Sequence, residues 1–183
     1  MKEIRSSQSH PLQIGTLETP LGGRLGLTFC PGKRDDHAMT GAWKRDLSQD
    51  LEVIVDMPAV ALVSLIETHE FDLLGVTDLP GATRAAGLHW YHLPIKDVSI
   101  PTPEFEEVWC RVNADLHATL RQGENIVIHC RGGLGRTGLV ACRLLVEQGM
   151  APREALKLVR EARPGAVETR EQEHYIFETQ WAP

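Results

Sequence analysis

The sequence predicts an α/β fold of three layers, in which helices flank a central, mixed and mostly parallel sheet of about five strands. Short, continuous apolar runs of strand length alternate with segments of helical periodicity. Parallel strands need long crossover connections, which are usually helices, so this alternation indicates a parallel sheet. Near the start, two apolar runs flank Pro20, Gly22 and Gly23. They indicate a hairpin, which adds an antiparallel strand and makes the sheet mixed.

The composition predicts one globular domain over residues 1–183. The chain has 183 residues, of which 42% are hydrophobic and 24% charged. Its net charge of −6 disfavours nucleic acid as a partner. No apolar run is long enough to span a bilayer, and the start lacks the apolar stretch of a secretion signal. We therefore expect a cytoplasmic protein with no membrane partner, whose 4 widely separated cysteines stay reduced.

The first half of the chain contains the hairpin, which ends near Cys30 with "CPGK" as a turn. Ser48 is the expected cap of a short helix that ends before Pro58. The further predicted elements are a buried strand over residues 59–67, a helix or helical turn followed by a loop over 72–87, and a strand over 88–95.

The clearest helix follows. Thr102 caps it, Pro103 suits the first helical position, and Gly123 ends it. Its apolar stripe consists of Phe105, Val108, Val112, Leu116 and Leu120. A short buried strand over 125–130 comes next, followed by three helices over 137–149, 151–165 and 168–180.

The stretch "HCRGGLGRTG" joins that strand to the next helix. Glycines let successive backbone amides turn inward, and the helix N-terminus lies behind them, so the loop favours an anion. The planar fork of Arg136 can hold two oxygens of one phosphate. Together with the backbone of Arg131, Gly132, Gly133, Leu134 and Gly135, it forms a socket for a phosphoryl group, with phosphate, sulfate or vanadate as ligand.

Cys130 stands at the start of this socket. A thiol beside a helix N-terminus and an arginine ionises more readily than a free thiol, and the thiolate is a nucleophile. Thr137 can donate a hydrogen bond to the sulfur, which helps it to leave. We expect His129 to orient the loop rather than to act as a base.

Other loops of this kind fit less well. A nucleotide-binding P-loop needs a lysine after its last glycine, where this chain has Arg136. A dinucleotide-binding turn needs G-x-G-x-x-G, which is absent here, and would not explain Cys130. The remaining alternative is a buried cysteine before an ordinary glycine turn.

At these residues the chain resembles the cysteine-based protein phosphatases, whose signature is H-C-x5-R-[ST]. Within them it resembles the dual-specificity group, and most of all its cyclin-dependent-kinase-associated branch, through "GGLGR", "HLPIKD" and "ETREQEHY". The likeness covers residues from roughly 40 to 180. It implies a tyrosine-phosphatase-like fold and a phosphorylated protein substrate. It also implies activity on phosphotyrosine, with phosphoserine and phosphothreonine as further candidates, and no cofactor or metal.

The resemblance also implies a two-step reaction through a phosphocysteine, with a carboxylic acid that protonates the departing oxygen. The acid should lie on a loop after the strand that ends in "HLPI", where Asp97 is the match. Asp115 is the reserve candidate, but it falls in the middle of a helix.

One segment departs from the family pattern. Tyrosine-specific relatives carry Q-T-x-x-Q, whose first glutamine can position the attacking water, whereas this chain reads "ETREQ" with Glu168 in that place. We prefer the interpretation that Thr169 and Gln172 form a capping box for the last helix. Two readings of Arg131 stay open, attraction of an anionic substrate or a solvent-facing side chain.

The other histidines and cysteines have simpler interpretations. We do not expect His89, His92 and His129 to form a metal site, because carboxylate or cysteine ligands at suitable spacing are not evident. The remaining cysteines, Cys30, Cys110 and Cys142, are expected to be packing residues.

Three alternative functions fit these residues less well. A non-catalytic phosphoprotein-binding module would not need Cys130, Arg136 and Asp97 together. A phosphoinositide phosphatase typically carries lysines inside the loop, and this loop has none. A rhodanese-type sulfur-transfer enzyme would need neither Asp97 nor Thr137.

Overall fold

A computed structural model describes residues 4–38 and 41–181. Its strands are β1 (Gly15–Glu18), β2 (Arg24–Phe29), β3 (Arg34–Asp35), β4 (Trp43–Lys44), β5 (Ala59–Ser64), β6 (His89–His92) and β7 (Asn125–Cys130). Its helices are α1 (Leu47–Asp56), α2 (Thr68–Leu73), α3 (Leu79–Ala85), α4 (Pro103–Arg121), α5 (Gly135–Glu147), α6 (Pro152–Ala162) and α7 (Arg170–Glu178).

The central sheet has five strands in the order β1-β2-β7-β5-β6, and β3 pairs with β4 in a small separate sheet. The hairpin of β1 and β2 is antiparallel, whereas β2, β7, β5 and β6 run parallel to one another. The predicted mixed, mostly parallel sheet is therefore confirmed. The strand that delivers Cys130 lies at its centre.

Helices cover both faces of the sheet, which gives three layers. Successive residues of β7 face opposite sides, as the period of a strand requires. Ile126 and Ile128 pack with residues of α4, α5, α6 and α7, whereas Val127 packs with residues of α1, α2 and α3. The strand is buried along its whole length, in keeping with its continuous apolar run.

Two local predictions were wrong. The cap of α1 is Asp46 rather than Ser48, because the Asp46 side chain accepts a hydrogen bond from the Gln49 amide at 2.9 Å. The segment expected to end as a loop forms α3, whose first turn contains a proline and whose Leu79 is fully buried.

The predicted strands over 59–67 and 88–95 are shorter in the structure. Leu65 and Leu93 lie beyond the strand ends but are completely buried. The apolar runs therefore mark burial, which continues past the ladder of backbone hydrogen bonds.

The long helix α4 begins as predicted, since the Thr102 hydroxyl accepts from the Phe105 amide at 3.4 Å. Trp109 is buried on its core side, whereas Val108 and Val112 of the predicted stripe are only partly buried. Within residues 4–38 and 41–181, no helix is both long enough and apolar enough to cross a membrane. All four cysteines carry free thiols.

Candidate active site

The candidate site lies where β7 ends and α5 begins. Residues 131–134 form the loop between them, and Cys130 is the last residue of the strand. This is the carboxyl end of a central parallel strand, where ligands of open α/β sheets usually bind. We call residues 130–136 the phosphate loop.

Gly133 shows why the phosphate loop needs glycine. Its φ of 70° lies in the left-handed region, and a Cβ atom there would lie 2.3 Å from the carbonyl carbon of Thr28. Any side chain would therefore collide with the backbone of β2. The glycine lets the loop curl tightly against the neighbouring strand.

The carbonyl groups of the phosphate loop are held on its outer side. Arg163, directly after α6, donates from Nε to the Gly133 oxygen at 3.2 Å and from Nη2 to the Gly132 oxygen at 3.3 Å. The Arg131 oxygen accepts from the Cys30 amide at 3.3 Å. With these carbonyls engaged outside, the amides can point inward, as an anion site requires.

Cys130 faces the inside of this curl. Its side chain is 3% exposed, and its Sγ accepts a hydrogen bond from the Gly133 amide at 3.2 Å. The sulfur of this buried residue therefore contacts the backbone of the phosphate loop.

Arg136 lies under the loop with a guanidinium group that is only partly engaged. Its Nη1 donates to Glu70 Oε2 at 2.6 Å and to the Ile95 oxygen at 3.0 Å, and its Nη2 donates to Glu70 Oε1 at 3.0 Å. The Nε is buried and has no hydrogen-bond partner among the described residues. A buried donor without a partner is costly, so this atom indicates a site for an acceptor such as a phosphate oxygen.

Glu70 is the functional residue that sequence reasoning missed. It is 2% exposed and also accepts from the Glu67 amide at 2.7 Å through Oε2. Burial alone would raise its pKa, but the hydrogen bonds from Arg136 and from the Glu67 backbone outweigh it, so the pKa is lowered and Glu70 stays ionised. No local sequence pattern marks Glu70, because it lies within α2 and meets Arg136 only through the packing of that helix.

Asp97 lies at the same edge, on the loop after β6. Its Oδ1 forms an ion pair with Arg136 Nη2 at 3.0 Å, and its side chain is 46% exposed. Its amide donates to Glu67 Oε2 at 3.3 Å. The structure therefore places Asp97 beside Arg136, whereas Asp115 lies within α4.

Thr137 lacks its expected contact, and the Arg131 side chain, for which two interpretations were open, pairs with a carboxylate. The Thr137 hydroxyl is buried without a hydrogen-bond partner among the described residues, so the expected bond to Cys130 is not formed in this structure. The Arg131 side chain turns to Asp35, donating to Oδ2 at 2.8 Å from Nη2 and at 3.2 Å from Nε. Because the side chain is bound to Asp35, Arg131 contributes its backbone to the phosphate loop.

His129 belongs to a buried chain of hydrogen bonds. Trp90 Nε1 donates to the Ser64 hydroxyl at 2.9 Å, which lies 2.6 Å from His129 Nε2. The Nδ1 lies 3.2 Å from the Cys130 carbonyl oxygen, which can only accept, so Nδ1 carries the proton and Nε2 accepts from Ser64. Burial lowers the pKa of His129 to about 4, so the ring is neutral and links β5 to the start of the phosphate loop.

The "ETREQ" segment, which departs from the family pattern, adopts the predicted capping box. Thr169 Oγ1 accepts from the Gln172 amide at 3.1 Å, and Gln172 Oε1 accepts from the Thr169 amide at 3.2 Å. Gln172 Nε2 also donates to the Ser99 oxygen on the Asp97 loop at 3.1 Å. Glu168 reaches the phosphate loop, where its Oε2 accepts from the Gly135 amide at 3.0 Å.

Within the described ranges, no group of three or more His, Cys, Asp or Glu side chains is arranged to hold a metal ion. His92 Nε2 lies 2.8 Å from the Ile66 carbonyl oxygen instead. Burial raises the pKa of the Cys30 thiol strongly and that of Cys142 to about 12, which keeps both neutral within the core.

A cysteine in a curl of amides, an arginine behind it and an aspartate across from it, on a mixed five-stranded sheet, define the class of cysteine-based phosphatases. Within that class, residues 38–150 match the family Tc-R-P, described as "Polymorphic toxin system, DSP-PTPase phosphatase", and the chain belongs to this family. It is a dual-specificity-type protein phosphatase, and thus a hydrolase.

Individual relatives agree with this assignment. Cyclin-dependent kinase inhibitor 3 from Mus musculus is 28% identical over 156 residues, which cover 84% of this chain and 70% of that protein. The solved structure of kinase associated phosphatase, with its catalytic-site cysteine replaced by serine, has a TM-score of 0.79 and 26% identity, covering 92% of this chain and 93% of that one. The active form of Tk-PTP has a TM-score of 0.63 and 28% identity, covering 87% and 92%. The predicted likeness to the kinase-associated branch is confirmed.

Proposed function

We propose that this phosphatase hydrolyses phosphotyrosine in proteins, with phosphoserine and phosphothreonine as further substrates, through a phosphocysteine on Cys130. The observation that carries the proposal is the arrangement at the sulfur. The Gly133 amide points to Sγ, and the buried Nε of Arg136 has no partner among residues 4–38 and 41–181. The amide holds the sulfur at the phosphate loop, and the Arg136 Nε is a donor that a bound phosphate would satisfy.

In the first step the Cys130 thiolate attacks phosphorus, forming the S–P bond while the P–O bond to the substrate breaks. Arg136 Nε and the inward amides hold the phosphoryl oxygens. Asp97, in its acid form, gives its proton to the departing oxygen. Since its side chain is 46% exposed, it can leave Arg136 and reach the substrate.

In the second step a water molecule attacks phosphorus and gives a proton to the Asp97 carboxylate. The S–P bond breaks, which releases inorganic phosphate and restores the thiolate. In this step Thr137 would turn its hydroxyl to the sulfur and His129 would hold the start of the loop. No cofactor or metal takes part in this scheme.

The remaining expectations fit the same scheme. We infer one phosphatase domain over residues 1–183 and a reducing compartment, such as the cytoplasm, that keeps Cys130 free. The name of the relative, cyclin-dependent kinase inhibitor 3, offers a phosphorylated kinase as one candidate substrate. A phosphoinositide is less favoured, because the phosphate loop carries no lysine.

Hydrolysis of p-nitrophenyl phosphate in excess chelator tests the scheme. Cys130→Ser should abolish turnover but still bind tungstate, because the amides and Arg136 remain. Asp97→Ala should slow turnover by roughly 10²–10⁴-fold, the range for loss of a general acid. Turnover that survives Cys130→Ser would rule out the phosphocysteine, and an unchanged rate for Asp97→Ala would assign the acid elsewhere.

A further inference from the structure

The first turn of α5 holds an anion that belongs to the protein itself. The Gly135 amide, one of the donors of the phosphate loop, donates to Glu168 Oε2 at 3.0 Å. An incoming phosphoryl group needs that same donor. Substrate and Glu168 therefore meet at one amide.

The contact is built into the fold and does not come from a loose side chain. The Glu168 backbone is fixed, because its amide donates to Oε1 of the buried Gln172 at 3.0 Å. Gly135 has no side chain, and a Cβ there would lie 2.4 Å from Glu168 Oε2. The absence of that atom permits the close approach. The residue is solvent-exposed overall, so the carboxylate can swing away without disturbing the core.

The neighbouring cations are engaged elsewhere. Arg163 donates to the carbonyls of Gly132 and Gly133, and the terminal nitrogens of Arg136 contact Glu70 and Asp97. Asp97 adds a further negative charge at the same edge. A dianionic phosphate that enters therefore meets the charge of Glu168 at close range.

We propose that the Glu168 carboxylate competes with oxyanions for the Gly135 amide and thereby weakens the binding of free, dianionic phosphate. This inference rests on the proposed function of the phosphate loop. The penalty falls on substrate and product alike, but inorganic phosphate, the reaction product, has no further group to bind the surface and therefore dissociates readily. A phosphorylated peptide compensates through contacts outside the loop. The competition therefore favours release of product over its retention.

Calorimetric titration with inorganic phosphate and with tungstate, at fixed pH and ionic strength, tests the proposal on the full chain. Glu168→Gln should bind both oxyanions about tenfold more tightly, because the like charge is removed while the shape is kept. Glu171→Gln is the matched control, since it removes the same charge from an exposed position in the first turn of α7. Its affinity should equal that of the unaltered protein.

The outcomes separate this inference from the proposed function. Binding needs no turnover, so a protein that binds neither oxyanion would contradict the phosphate loop itself. If binding is normal and Glu168→Gln and Glu168→Ala both match the unaltered protein, the competition does not exist. If Glu171→Gln gained as much oxyanion affinity as Glu168→Gln, the gain would come from net charge alone, which would likewise overturn the proposal.

Discussion

Arg136 presents two different edges to its surroundings. Glu70 and the Ile95 carbonyl hold its terminal nitrogens, while Nε stays without a partner among the described residues. Glu70 thus acts through Arg136 as a positioning residue, because a bidentate carboxylate fixes the plane of the guanidinium group. The Nε is then the donor that we assign to phosphate.

Replacing Glu70 should change the orientation of the Arg136 guanidinium group. We expect Glu70→Gln to lower kcat/KM for p-nitrophenyl phosphate by about 10–100-fold, since small misplacements at a reacting centre cost this much. It should also weaken phosphate binding, which a general loss of stability would not do in a folded protein. The comparison is Glu52→Gln, at an exposed position of α1, assayed well below the unfolding temperature. Full activity in Glu70→Gln would show that Arg136 holds its orientation alone.

At the scale of elements, charges tie α4 to α5 on the side away from α1. Arg143 donates from Nη1 and Nη2 to Glu106 at 2.6 and 2.8 Å, and from Nε to Glu147 Oε1 at 2.8 Å. Trp109 Nε1 also donates to Glu147 Oε1, at 2.9 Å. Burial would raise the pKa of Glu147, but the hydrogen bonds from His117 and Arg143 lower it, so this buried carboxylate is ionised.

Removing the cation should therefore destabilise the helix pair. We expect Arg143→Leu to lower the free energy of unfolding by about 3 kcal/mol, because it leaves the Glu147 charge buried with one partner fewer. The measurement is urea denaturation. Adding Glu147→Leu should recover a large part of the loss, since an apolar pair replaces the ion pair. A double variant as unstable as the sum of both single ones would mean that the two charges do not interact.

At the scale of the whole molecule, the buried groups predict sensitivity to acid. His129 is neutral in the folded chain, with a pKa lowered from 6.5 to about 4 by burial. Between these values the unfolded chain binds more protons, so stability is complete above pH 6.5 and falls as the pH drops to about 4. The lowered pKa values of Glu70 and Glu147 act in the same direction at still lower pH.

The His129 contribution can be isolated. In the unaltered protein we expect it to remove about 3 kcal/mol across that window, from 1.36 kcal/mol per pKa unit. His129→Asn should be less stable at neutral pH but should lose less further stability on acidification. Thermal unfolding from pH 7 to 4 measures both. Parallel pH curves for the two proteins would contradict the assignment.

The prediction from sequence succeeded where the pattern is local. Residues 125–138 are contiguous, so strand, loop and helix could all be placed from residue types and spacing. Glu70 and Arg163 were out of reach, because they meet the phosphate loop only through the packing of α2 and of the segment after α6. Asp46 displaced Ser48 as a cap for a similar reason: both residue types suit the position, and tertiary packing chose between them.

The segment from Arg163 to Gln172 touches both halves of the reaction centre. Arg163 contacts the phosphate loop, whereas Gln172 contacts the Asp97 loop through Ser99. Transferring only the ten residues "HCRGGLGRTG" to a homologous protein would omit these hydrogen bonds. A chimaera that keeps its turnover rate must therefore also receive the segment between α6 and α7. Exchanging that segment alone should change the turnover rate, although its residues do not contact the substrate.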